Sequence, residues 1–222
     1  ISDCLVGSEM CIRDRFTLFL FYEVLTLSTY PLVTHYGNAE ARRAGRIYMG
    51  ILLTTSVAFL LLGVLGTYYY AGTSDFALGG ILQGKVQPWQ AMVLLALYAF
   101  GTGKAALMPF HKWLPNAMVA PTPVSALLHA VAIVKAGVFT ILKVVVYVFG
   151  INFLQEAEVV ISLFQNAPAF TIETGVNTWL MYAAAFTLLS SSIIALSKDN
   201  LKARLAYSTI SQLAYIVLGA AI

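Results

Sequence analysis

From Phe16 onward the chain alternates long apolar runs with short polar connections. Phe16 to Val33 holds one acid near its middle, Glu23, and a late Pro31; Ile47 to Tyr69 carries no charge. Trp89 to about Phe110 contains Lys104 and is cut by Pro109, and Val124 to Phe149 contains His129, Lys135 and Lys143. Thr178 to Leu196 follows, and a last run extends from Leu205 to Ile222. Each approaches the roughly 20 residues that an α-helix needs to cross a bilayer, so the pattern predicts about six transmembrane helices. Ile151 to Thr174 is interrupted by Glu156, Glu158 and Glu173 and reads as a surface or interfacial connection. AEARRAGR reads as the loop between the first two spans.

Composition agrees with an all-α polytopic membrane protein. Of 222 residues, 59% are hydrophobic and only 10% charged, against roughly a quarter charged in soluble domains. Mean hydropathy is +0.81. Helices satisfy their own backbone hydrogen bonds in lipid, which is why such a chain folds as a bundle. A net charge of +3, concentrated in short loops, gives no reason to expect nucleic acid as a partner. Residues 1–15, ISDCLVGSEMCIRDR, are polar and carry Cys4 and Cys11; they read as a non-native leader, and residues 16–222 as an incomplete membrane domain.

Loop charge sets an expected orientation. Arg42, Arg43, Arg46, Lys112, Lys198, Lys202 and Arg204 fall on one side of the six-span scheme, and Lys85 with Asp75, Glu156, Glu158 and Glu173 on the other. By the positive-inside rule the first set faces the cytoplasm of a cell (inner) membrane.

Candidate chemistry gathers where charge enters apolar runs. Ionisable groups inside a membrane mark ion paths by default. Lys104 is a candidate proton carrier, although its long stem also allows it to snorkel to the interface. Glu23 is its natural partner, either as a switch that holds and releases the lysine proton or as a static pair that locks packing. His129 and Lys143 lie within roughly 40° of one another on a helical projection, and Lys135 about 80° from Lys143, so all three can share one polar seam. Lys143 is the weaker relay candidate, being near the outer interface. Gly103, Pro109, Pro121 and Pro123 mark a hinge or broken helix of the kind that lines hydrated cavities in transporters; prolines at 121 and 123 are equally compatible with a shaped loop.

Cofactor motifs are missing. GTGK at Gly101 to Lys104 lacks the earlier glycine and the following Ser or Thr of a phosphate-binding loop. No Cys/His spacing suits zinc, haem or an iron–sulfur cluster, so no cofactor or metal is expected in this chain.

Three stretches then carry a family resemblance. GKAALMPFHKWLPNAMVAPTPVSALLHAVAIVKAGVF, FYEVLTLSTYPLV and KDNLKARLAYSTISQLAYIVLG resemble the antiporter-like membrane subunits shared by respiratory complex I (NADH:quinone oxidoreductase) and the multisubunit monovalent cation/proton antiporters. The resemblance implies a larger fold of about fourteen helices with inverted repeats, each holding a broken helix. It also implies roles for Glu23 as the helix-five glutamate, Lys104 as the broken-helix lysine, and His129 with Lys135 as relay positions. The implied partners are other membrane subunits of a hetero-oligomer, the lipid bilayer, protons and Na+. HAVAIVKAGVF is more similar to the antiporter-type subunits and the largest complex I pump subunit than to the other complex I homologues. The expected function is that of a cation/proton antiporter subunit, with a proton-pumping complex I subunit as the alternative and a structural subunit with static buried ion pairs as the alternative from another class. Any NADH or quinone chemistry would belong to partner subunits.

Overall fold

The computed structural model describes residues 12–77, 79–128, 132–156, 158–162 and 171–221. Its first helix, α1 (Arg15–Val33), starts where the Asp14 carboxylate accepts a hydrogen bond from the Thr17 N–H at 2.8 Å. Its buried face repeats at helical spacing through Leu18, Tyr22, Leu25, Thr26, Thr29 and Val33. The last part of the polar N-terminal stretch is built into the fold: Phe76 N–H donates to the Arg13 carbonyl at 2.9 Å, and the Arg15 guanidinium reaches the Asp75 carbonyl at 3.2 Å.

AEARRAGR is not a loop. Asn38 caps a helix by accepting from the Ala41 N–H at 2.7 Å, and α2 then runs unbroken from Ala39 to Ala71. Arginine is a good helix former, so the segment extends the membrane helix beyond its apolar part instead of turning it. Inside α2, Ser56–Leu60 forms a π-helical turn. Such bulges are frequent at functional sites, and this one lies beside the break described below.

The third apolar run forms α3 (Pro88–Gly101), opened by Pro88 and a capping box between Gln87 and Gln90. It ends well before Pro109, where the sequence places the cut. Short 3-10 turns at Gly103–Ala105 and Phe110–Lys112 follow, Ala106 is left-handed at φ 55°, and the Met108–Pro109 peptide is cis. The chain then re-enters helix in α4 (Trp113–Ala117). Pro121 and Pro123 stand at the start of α5 (Thr122–Ala126), where a missing N–H costs nothing, so they begin a helix and do not break one. The fourth run resumes as α6 (Ile133–Val144) and ends in a π-helical turn at Val145–Phe149.

In the connection expected over Ile151 to Thr174, a short α7 (Ile151–Glu156) precedes two strands, β1 (Glu158–Ser162) and β2 (Thr171–Gly175). The strands pair antiparallel with Val160 opposite Glu173, in a segment rich in β-branched residues. Two long helices, α8 (Thr178–Leu196) and α9 (Leu201–Ala221), close the described chain as an antiparallel hairpin. Ser192 and Ser211 hydroxyls meet at 2.8 Å near one end, and Asn177 donates to the Ala221 carbonyl at 2.8 Å near the other.

The all-α membrane architecture stands, but six uniform spans do not emerge. Among the described residues, Arg15–Val33, Ala39–Ala71 and Thr178–Leu196 are long and apolar enough to cross a membrane. Pro88–Gly101 is apolar but shorter. The fourth run is divided, and α9 carries Ser208, Thr209, Ser211 and Gln212 through its centre.

Candidate functional site

The break after Gly101 brings Lys104 inside the protein. With α3 ended, the chain crosses the core as a 3-10 turn, and Lys104 is completely buried. Its ammonium donates to the Tyr22 carbonyl of α1 and lies 3.5 Å from the centroid of the Tyr22 ring, a desolvated cation–π contact. Its backbone N–H donates to the Tyr22 hydroxyl at 3.1 Å. A lysine so enclosed cannot snorkel to either surface, which removes that alternative.

Glu23 follows Tyr22 on α1. Both carboxylate oxygens are shielded from solvent, and neither accepts a well-formed hydrogen bond among the described residues. Ser56 in the π-helical turn and Lys104 are within interaction range of it. Ser56 instead donates to the Leu52 carbonyl at 2.9 Å. A buried carboxylate without donors is costly to keep charged unless a cation compensates it, and Lys104 is a cation within electrostatic range.

Two glycines and a tryptophan hold the break in place. A Cβ on Gly103 would press into the Thr55 side chain of α2, and one on Gly137 of α6 would stand 2.5 Å from the Ala105 nitrogen. Glycine permits these approaches by having no side chain. Trp113 Nε1–H donates to the Gly103 carbonyl at 2.8 Å, and its ring packs edge-on against Tyr48 at 5.7 Å.

The expected relay divides here. Gly137 faces the Lys104 backbone, and Lys135, two residues earlier and about 200° round the helix, is exposed on the far side. Lys143 is buried elsewhere, donating to the Ile12 carbonyl and lying 4.7 Å from the Phe76 ring centroid. Lys135 and Lys143 therefore do not share one seam, because the packing of α6 on the break fixes the helix rotation. His129 lies outside the described residues.

At the other end of the break, His111 is half-buried against Tyr207 of α9, ring centroids 6.1 Å apart. Burial first, then the Lys112 charge, holds its imidazole below the ordinary histidine value, against a backbone hydrogen bond at Pro109 that raises it. Lys202 reaches the Ala120 carbonyl at 3.2 Å, so the Lys112 region and the Lys198–Arg204 turn share one end of the molecule.

A family model described as NADH:quinone oxidoreductase/Mrp antiporter, TM, matches residues 13–170 and again 159–222. The chain belongs to this family. The resemblance carried by the three sequence stretches is thereby borne out. NAD(P)H-quinone oxidoreductase chain 5 of Synechocystis is 31% identical over 210 residues, covering 90% of this chain and 27% of that protein. The putative antiporter subunit mnhA2 of Staphylococcus aureus is 32% identical over 212 residues, covering 90% of this chain and 22% of the relative. Among solved structures, the Mrp complex of Dietzia sp. DQ12-45-1b superposes with a TM-score of 0.74 at 29% identity, over 94% of this chain and 21% of that one. The archaeal membrane-bound sulfane sulfur reductase gives 0.72 at 27% identity, over 94% and 39%. The chain thus spans about a quarter of the length of the named relatives it matches.

Sequence reading missed Tyr22, Ser56, Trp113 and Gly137. Tyr22 had a signal, since Tyr22, Thr26 and Thr29 repeat at helical spacing beside Glu23. The others belong to different segments and meet only in three dimensions.

Proposed function

We propose that this chain is part of a proton-conducting membrane subunit, in which Glu23 and Lys104 share and release a proton. The observation that carries the reading is the fully buried Lys104 ammonium, set in a helix break and within electrostatic range of the donor-poor carboxylate of Glu23. When the two approach, the charged pair is favoured; when they separate, the uncompensated lysine gives up its proton. Lys135, on the exposed face of α6, would carry the proton onward to protein that covers this face, with His129 on the same run. The parent assembly is a multisubunit Na+/proton antiporter, working with other membrane subunits and needing no cofactor in this chain.

The similarity of this chain to a quinone oxidoreductase subunit and to an antiporter subunit, at 31% and 32% identity, gives a second reading: a proton-pumping membrane-arm subunit of an NADH:quinone oxidoreductase. The Glu23–Lys104 chemistry is common to both. Co-purification of the full-length protein with redox subunits would select the second.

The end bearing Arg42, Arg43, Arg46, Lys112, Lys198, Lys202 and Arg204 is assigned to the cytoplasm. That two of these segments share one end is supported by the Lys202 ammonium, which donates to the Ala120 carbonyl at 3.2 Å. Single cysteines at Arg43 and Asp75 should react with an impermeant thiol reagent from opposite faces.

The direct test is Lys104→Ala in the full-length protein within its assembled complex. Transport should be abolished with assembly intact; retained transport overturns the reading.

A further inference from the structure

Between the arginine-bearing end and Glu23, the facing sides of α1 and α2 carry hydroxyls where a packed helix pair would ordinarily present aliphatic side chains. Thr29 and Tyr48 are buried, and their hydroxyl oxygens lie 2.7 Å apart. Thr29 also donates toward the carbonyls of Leu25 at 2.8 Å and Thr26 at 3.0 Å. Thr26 donates to the Tyr22 carbonyl at 3.1 Å, the same oxygen that accepts from the Lys104 ammonium. Tyr48 is within electrostatic range of Glu23. A continuous line of polar atoms therefore runs along one face of α1, from Lys104 to the α1–α2 contact one turn short of the helix end.

The outer end of this line is close to water. A cavity of about 330 Å³ is lined by Tyr30, Ala39, Arg42 and Arg46, and Tyr30 adjoins Thr29 in the chain. Beside the cavity α1 and α2 approach closely: a Cβ on Gly45 would press into the Thr34 side chain and meet the Tyr30 ring at 3.1 Å. At the inner end, both oxygens of Glu23 are shielded from solvent, and neither accepts a well-formed hydrogen bond among the described residues.

We infer that the α1–α2 seam is the proton entry to Glu23, with the paired hydroxyls of Thr29 and Tyr48 as its gate. An arriving proton binds the Tyr48 oxygen as Tyr48 passes its own proton to Thr29. Thr29 releases one inward, and through intervening water it reaches a Glu23 oxygen, leaving both hydroxyls neutral. The inference rests on the proposed Glu23–Lys104 function, and it assigns Thr29 and Tyr48 as entry residues not needed for the pair itself.

The test uses the full-length protein in its assembled complex and measures proton uptake into vesicles. Tyr48→Phe keeps the ring against Trp113 and removes the hydroxyl, Thr29→Val removes the other, and Thr29→Ser restores it. Uptake should fall about a hundredfold in Tyr48→Phe and in Thr29→Val, the lower end of what a positioned proton-transfer group supplies. It should recover in Thr29→Ser, and the double variant should be no slower than the slower single one. Full uptake in both single variants, while Lys104→Ala abolishes it, overturns the entry route and leaves the proposed function standing. Loss in Thr29→Val that Thr29→Ser fails to restore also overturns it, since packing would then be the cause. Uptake retained in Lys104→Ala removes both.

Discussion

Gly137 of α6 lies so close to the helix break that a Cβ on it would stand 2.8 Å from the Lys104 Cβ and 2.5 Å from the Ala105 nitrogen. This contact fixes two things at once. It wedges the break against α6, and it sets the rotation of α6 so that Lys135 points away from Lys104.

Gly137→Ala should accordingly displace the break. Overpacking a tight core contact costs about 1–3 kcal/mol, so the melting temperature of the purified protein should fall and transport should slow with it. An unchanged melting temperature and rate would show that the break is not held there.

Glu23 and Lys104 can be tested as a pair. If they form only a static ion pair, Glu23→Gln combined with Lys104→Met removes both buried charges together and should preserve transport. The switching role predicts loss in the double variant as in each single one, even where thermal stability recovers, because replacing a buried pair by neutral groups is often neutral or stabilising. The two readouts, melting temperature and transport, separate the roles.

Trp113→Phe keeps an aromatic ring near Tyr48 but removes the Nε1–H that donates to the Gly103 carbonyl at 2.8 Å. Gly103 still accepts from the Ala106 N–H at 3.0 Å, so the loss should be that of one net hydrogen bond, about 1 kcal/mol. Thermal unfolding of the variant measures it.

His111 gives a pH signature. Because burial and Lys112 hold its imidazole below the ordinary histidine value, the unfolded chain takes up a proton at higher pH than the fold does. Its contribution to stability is full above the ordinary histidine range and is lost as pH falls toward the folded value. His111→Gln should therefore flatten the acid side of a stability–pH curve recorded by thermal unfolding; an unaltered curve would show that another group sets it.

The sequence alone determined the membrane class, the helices at Arg15–Val33 and Thr178–Leu196 and the family, and it marked Glu23 and Lys104 as charges inside apolar runs. Those features are local: a run of apolar residues must bury its backbone in helix whatever surrounds it, and a charge inside such a run is conspicuous wherever the run packs. The extent of α2 was misread because apolar periodicity stops at the membrane boundary while helical hydrogen bonding continues through AEARRAGR. Pro109 drew attention as the cut, yet the chain leaves helix after Gly101, where Gly103 and Thr55 bring the break against α2. Only tertiary structure decided the rotation of α6, the placing of Tyr22 beneath the Lys104 ammonium, and the meeting of Thr29 with Tyr48. Each joins residues from separate segments through contacts a few ångströms wide, and helical periodicity specifies which residues share a face, not which face its neighbour will meet.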